Sequence, residues 1–168
     1  MYKKIRERQP NVKANEDITE QDIQLIIKDV LPRIPYGVEC AYWIDDEEGY
    51  EDTDNVTGYF SEDATFYFCT TNGNFDVPIK ECRPYLYPMS SMTDEHKLEI
   101  KKYFRHGLDD IKALETGDEK FLLSLSQDAN VSDFLNKWHY DYNGLIDKGL
   151  AIECKRNDET KYNPYEWQ

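Results

Sequence analysis

The chain is short of cations, of metal-ligand pairs and of apolar runs. Only 20 of its 168 residues are Lys or Arg, against 34 Asp or Glu, for a formal net charge of −14. A molecule so charged is repelled by a nucleic-acid duplex and by an anionic membrane, so neither is an expected direct partner. No apolar stretch approaches the roughly 18 residues that a spanning helix requires. The N-terminus is charged and no apolar run follows it, so no secretory signal is expected and the cytoplasm is the expected compartment. The cysteines, at 40, 69, 82 and 154, form no C-x-x-C pair, and free thiols are expected. Phosphate loop, G-x-S-x-G, H-E-x-x-H and dinucleotide fingerprint are all missing, and no cofactor or metal is expected. There is no internal repeat.

What the chain does have is aromatic side chains: 14% of residues, with 13 tyrosines. These bury large areas each, and 168 residues suffice for one domain with a real core. Cys40 and Cys69 sit among strand-forming residues and are expected to act as small core side chains.

Residues 1–18 lack periodicity and are expected to form a mobile basic arm. Thr19 can cap a helix, Glu20 and Asp22 suit its first turn, and Ile23, Ile26, Ile27 and Val30 give one apolar face. Pro32 is expected to stop that helix and Gly37 to turn the chain. Four strands follow: Val38–Ile44, Asn55–Phe60, Ala64–Thr70 and Phe75–Cys82. Asn72-Gly73 signals a hairpin between the last two. Pro78 assigns the fourth strand to an edge or a bend. An antiparallel meander or small SH3-like barrel is expected. Arg83–Met92, with its prolines, reads as a strap. Thr93 then caps a helix reaching about Glu115, and shorter helices are expected from Asp118 and around Val131, Phe134, Leu135 and Trp138. Gly149 should stop a last helical turn before an apolar segment docks on the core. The expected fold is therefore α+β, with an N-terminal helix and a four-stranded antiparallel sheet ahead of a C-terminal helical part. One domain spans 19–154, divided at 83–92 by the strap, and 155–168 is a loose tail.

Three blocks, "DIQLIIKDVLPRIPYGV", "RPYLYPMSSMT" and "FLNKWHYDYNGLIDKGLAIE", carry a resemblance. In this order they resemble blocks of small uncharacterised proteins carried by phages and mobile elements of gut anaerobic bacteria. The middle block there has Arg where this chain has Tyr87. The last block there often reads His-x-Asp-Tyr-x-Gly-Leu-Ile, matched here by His139, Asp141, Tyr142, Gly144, Leu145 and Ile146. The resemblance covers about a third of the chain. It implies a genomic setting and a bacterial host cytoplasm, and no reaction.

Several candidate sites compete with plainer readings. Tyr85, Leu86, Tyr87 and Met89 suit an exposed aromatic groove for a protein partner; the plainer reading packs them where sheet meets helices. Asp45, Asp46, Glu47, Glu48, Glu51, Asp52 and Asp54 form an acidic surface, within a stretch from Glu39 to Asp63 that has ten carboxylates and no Lys or Arg. The order does not match a calcium loop. Such a surface can imitate nucleic acid toward a basic groove, or merely solubilise a hairpin. His139 and Asp141 suit metal binding or catalysis; the plainer reading has Asp141 bonding the Gly144 turn and His139 half-buried beside Trp138. His96 and His106 read as lone surface residues. Lys97, Lys101 and Arg105 share a face but lie among carboxylates, and read as a salt-bridged surface. The expected function is that of a non-enzymatic phage or mobile-element accessory protein acting on an unknown, possibly basic, protein partner. The alternatives are an acidic nucleic-acid mimic that inhibits a host nuclease or defence complex, and an enzyme or metal-binding protein using His139 and Asp141.

Overall fold

The computed structural model describes residues 11–43, 51–70, 73–103 and 128–155. Asp45, Asp46, Glu47 and Glu48, the helix expected beyond Tyr103, the one expected from Asp118, His106 and nearly all of the expected tail lie outside the described residues.

The first helix, α1 (Glu20–Val30), begins as its sequence dictates. The Thr19 hydroxyl accepts from the Asp22 amide, and the Asp22 carboxylate accepts from the Thr19 amide, closing a capping box. As expected, α1 ends just before Pro32, at Val30, and the chain then tightens into a 3-10 segment, Leu31–Tyr36, with the proline in its first turn. Gly37, at φ 70°, then turns the chain into the sheet.

The sheet has six strands rather than four: β1 (Glu39–Trp43), β2 (Glu51–Phe60), β3 (Thr65–Thr70), β4 (Gly73–Pro78), β5 (Cys82–Leu86) and β6 (Ile152–Glu153), in the open order β4-β3-β2-β1-β5-β6. The first four form the expected antiparallel meander, but the sheet is mixed and does not close as a barrel. β4 lies at an end of the sheet and stops at Pro78.

The first part of the expected strap, 83–86, belongs to β5, inserted between β1 and β6. The five residues of β5 are all buried, because both faces of the sheet are covered there. Pro84 is tolerated because β6 pairs only with Tyr85 and Leu86, leaving Pro84 opposite Cys40 alone.

Two buried clusters lie on the two sides of this sheet. Ile26, Ile27 and Val30 of α1 meet Cys40, Tyr42, Phe66 and Phe68 in one. In the other, α2 (Asp94–Ile100) and α3 (Ala129–Lys137) bring Ile100, Val131, Phe134 and Leu135 onto Ala41, Tyr85 and Ile152. The described part of the expected arm, 11–18, also packs on the molecule. Val12 joins the second cluster, Lys13 donates to Gly149, and its ammonium meets Asp22 at 2.9 Å. Cys69, expected in the core, is exposed on the outward side of β3, whereas Cys40, Cys82 and Cys154 are buried. The Asn72-Gly73 signal does correspond to an antiparallel β3–β4 pair, which closes at Thr70 opposite Gly73.

Candidate functional site

The first and third sequence blocks, far apart along the chain, meet at one guanidinium, and the second block joins the third beside it. Arg33, in the 3-10 segment after α1, is fully buried. Its Nε and Nη2 fork onto the Asp29 carboxylate at 2.9 and 2.8 Å. Nε also donates to the Asp29 carbonyl, in the last turn of α1, at 3.1 Å. Nη2 reaches the Tyr140 carbonyl at 2.9 Å, and the Tyr142 ring lies 5.2 Å from the guanidinium carbon. Asn143 donates to Asp29 at 2.7 Å. A desolvated ion pair is tolerable only when its remaining hydrogen-bonding capacity is used, and that is the arrangement here.

The second block enters through the main chain. Tyr87 donates to the His139 carbonyl at 2.9 Å and accepts from the Asp141 amide at 2.8 Å, so β5 is prolonged by a parallel bridge to Tyr140. The Tyr140 hydroxyl is hydrogen-bonded to His96 Nδ1 at 2.8 Å, and the His96 ring packs 3.7 Å from that of Trp138. His96, expected on a charged surface, is therefore buried inside the second cluster's rim.

His139 and Asp141 are both buried, and each is engaged with main chain. The Asp141 oxygens accept from the Leu145 and Ile146 amides, both at 2.8 Å, which fixes the turn at Gly144 as expected. Burial raises the Asp141 pKa against those two hydrogen bonds. His139 is 1% exposed, not half-buried, and takes φ 54° to end α3. Burial lowers its pKa to about 3, Arg33 adding to the effect, so the ring is neutral across the physiological range. Its Nε2 lies 3.3 Å from the Tyr36 carbonyl. The carboxylate committed to two amides holds the turn at Gly144 in place. Among the described residues, no group of three His, Cys, Asp or Glu side chains is close enough to hold a metal ion.

The other expected sites fall differently. Tyr85, Leu86, Tyr87 and Met89 are all buried, at 9%, 0%, 8% and 8% exposure, so they form core and not an aromatic groove. Of the acidic surface, Glu51, Asp52 and Asp54 belong to β2, opposite Trp43, Tyr42 and Cys40. The Asp54 carboxylate accepts from the Asn55 amide. Lys97 lies 3.7 Å from the exposed Asp94, a surface pair of little energetic weight. Asp29 and Arg33 were not among the expected residues. Their signal was an i, i+4 charge pair bordering the apolar face of an amphipathic helix. No family model, curated protein or solved structure matches this chain.

Proposed function

We propose that this is a non-enzymatic accessory protein, of the kind phages and mobile elements carry, that binds a basic protein through the acidic end of its β1–β2 hairpin. One observation carries the reading. β1 and β2 lie in the middle of a six-stranded sheet and pair as far as Trp43 opposite Glu51, and the sequence that joins them, 44–50, contains Asp45, Asp46, Glu47 and Glu48. From Glu39 to Ile79 the chain has 11 carboxylates and no Lys or Arg, so the field of this half is not offset by cations along its own length. The natural counterpart is the groove of a nuclease or defence complex that ordinarily receives phosphates, where matched charge governs encounter. Burial of Tyr85, Leu86, Tyr87 and Met89 removes the competing contact surface.

The test is capture of host-lysate proteins by the immobilised full chain at about 0.1 M and about 1 M salt, between which the screening length falls roughly threefold. Basic nucleic-acid-binding proteins are expected at low salt, released at high salt or by added duplex. Capture should be lost when Asp45, Asp46, Glu47 and Glu48 are changed together to Asn or Gln. Capture that ignores salt and survives this change defeats the reading.

A further inference from the structure

We infer that the outer face of the β2–β3–β4 half binds an extended, arginine-bearing segment of the basic partner; this rests on, and deepens, the reading proposed above. β3 and β4 alternate there, and β2 joins them across a register shift between Val56 and Gly58. Phe66 and Phe68 point into the core with no exposure, which turns Tyr67 to the opposite side of β3. Phe60, at the end of β2, is 52% exposed, and its ring meets that of Tyr67 edge-on at 5.7 Å. In the register, Tyr67 has Gly58 on one side and Asp76 on the other. Gly58 has no side chain to stand in the way, and the Tyr67 ring lies across it, its Cδ1 4.0 Å from where a Cβ would be. The result is an aromatic shelf with a carboxylate beside it, bordered by the exposed Glu62 and Asp63 of the β2–β3 turn.

The chemistry of this shelf selects its occupant. A guanidinium is planar and weakly hydrated, so it can stack on an aromatic face while donating to a carboxylate; an ammonium is too strongly hydrated to do both well. The occupant is extended because, among the described residues, β4 has a paired strand on one side only, and an added strand directs alternate side chains to one face of the sheet. Charge complementarity with strands that contain no Lys or Arg favours a cationic segment, and it disfavours a second copy of this chain, which would set carboxylate against carboxylate.

The probe is an eight-residue peptide alternating Arg and Thr, titrated into isotope-labelled full chain at about 0.1 M salt, with Lys–Thr and Glu–Thr peptides as comparisons. The arginine peptide is expected to shift the amides of Gly73–Val77, Phe60 and Tyr67, to bind about threefold or more tighter than the lysine peptide, and to leave the glutamate peptide unbound. Phe60→Ala and Tyr67→Ser should each weaken it about three- to fivefold, and Asp76→Asn should weaken it as well. Phe60 is largely exposed, so its variant is expected to keep the native spectrum, which the same experiment checks; Gly58→Val, which fills the shelf from the backbone side, is the second variant and should also weaken binding. No saturable shift at millimolar arginine peptide overturns the inference, as do equal affinities for the two cationic peptides or binding indifferent to Phe60, Tyr67 and Gly58. Binding lost on neutralising Asp45, Asp46, Glu47 and Glu48 but indifferent to Phe60 overturns this face alone and leaves the acidic hairpin as the contact. Failure of every cationic peptide, together with salt-independent capture from lysate, overturns both.

Discussion

Arg33 donates across 107 positions of sequence to the Tyr140 carbonyl, at 2.9 Å, while the same guanidinium is forked onto Asp29 one helical turn behind it. One side chain thus ties the end of α1 to the segment that follows α3. Removing either charge strands the other in the interior, which typically costs about 3–5 kcal/mol. Asp29→Ala and Arg33→Met are each expected to lower the urea midpoint severely. The double variant should lose less than the sum, with a coupling of about 1–3 kcal/mol, because no lone charge remains. Single variants within about 0.5 kcal/mol of the parent would show that the pair does not join these segments.

The neutral state of His139 makes stability fall with acid. In the unfolded chain the imidazole takes a proton near pH 6.5, but in the fold burial, aided by Arg33, delays this to about 3. Between these values the unfolded state binds more protons, so lowering the pH favours unfolding. The contribution is complete above about pH 6.5 and is lost as pH falls toward 3, on the order of a few kcal/mol. Asp22 acts in the same sense. Burial raises its pKa, but the Thr19 and Lys13 contacts outweigh this and leave it lowered, so its stabilisation also fades in acid. Asp141 acts oppositely: burial raises its pKa, and its contribution grows as the pH falls. His139→Asn retains a residue that accepts positive φ and removes the titrating ring. Urea midpoints at about pH 4.5 and about pH 7 should therefore differ less for the variant than for the parent. An unchanged pH dependence would remove His139 from this account.

Legibility followed local chemistry. Thr19 announced a capped helix start with Glu20 and Asp22 in its first turn, Ile23, Ile26, Ile27 and Val30 announced an apolar face, and Pro78 announced a strand at an edge or a bend. The Asp141 contact with the Gly144 turn was likewise visible as an Asx-type pattern. β5 was missed because a strand covered on both faces does not alternate, and Pro84 made its apolar run resemble a connector. β6 is two residues long and exists only because β5 is there to pair with it. The Arg33 hub depends on contacts across more than 100 positions, which no local pattern encodes. His96 was misread because its helix looks charged, while its ring turns inward to Tyr140 and Trp138.

The thiols should divide three to one. Cys40, Cys82 and Cys154 are buried, and burial pushes the Cys40 and Cys82 thiols well above their ordinary pKa, so they lack thiolate as well as access. Cys69 is exposed. A disulfide reagent applied to the native protein at about pH 8 should label one thiol rapidly, and all four only in denaturant. Cys69→Ser should abolish the rapid phase. A second rapid thiol in that variant would mean that the sheet interior opens on the labelling timescale.

Gly149 sets how the chain's early segment is held. It sits at φ 70°, and a Cβ there would stand 2.5 Å from the Asn11 carbonyl oxygen and 3.2 Å from the Lys13 nitrogen. Its own carbonyl accepts from the Lys13 amide at 2.9 Å. Alanine would incur about 1 kcal/mol for the left-handed backbone and a further loss from displacing residues 11–13. Because Val12 lies in the buried cluster over Ala41 and Tyr85, the displacement would also uncover apolar surface. Gly149→Ala is therefore expected to destabilise by about 2–3 kcal/mol and to speed hydrogen exchange at the Lys13 amide before it affects the β2–β3 ladder. Gly58→Ala is the control: its Cβ would meet Tyr67 Cβ at an ordinary 3.5 Å, and its exchange pattern should match the parent's. If Gly149→Ala leaves Lys13 protected, residues 11–13 are anchored by something other than their fit against this glycine.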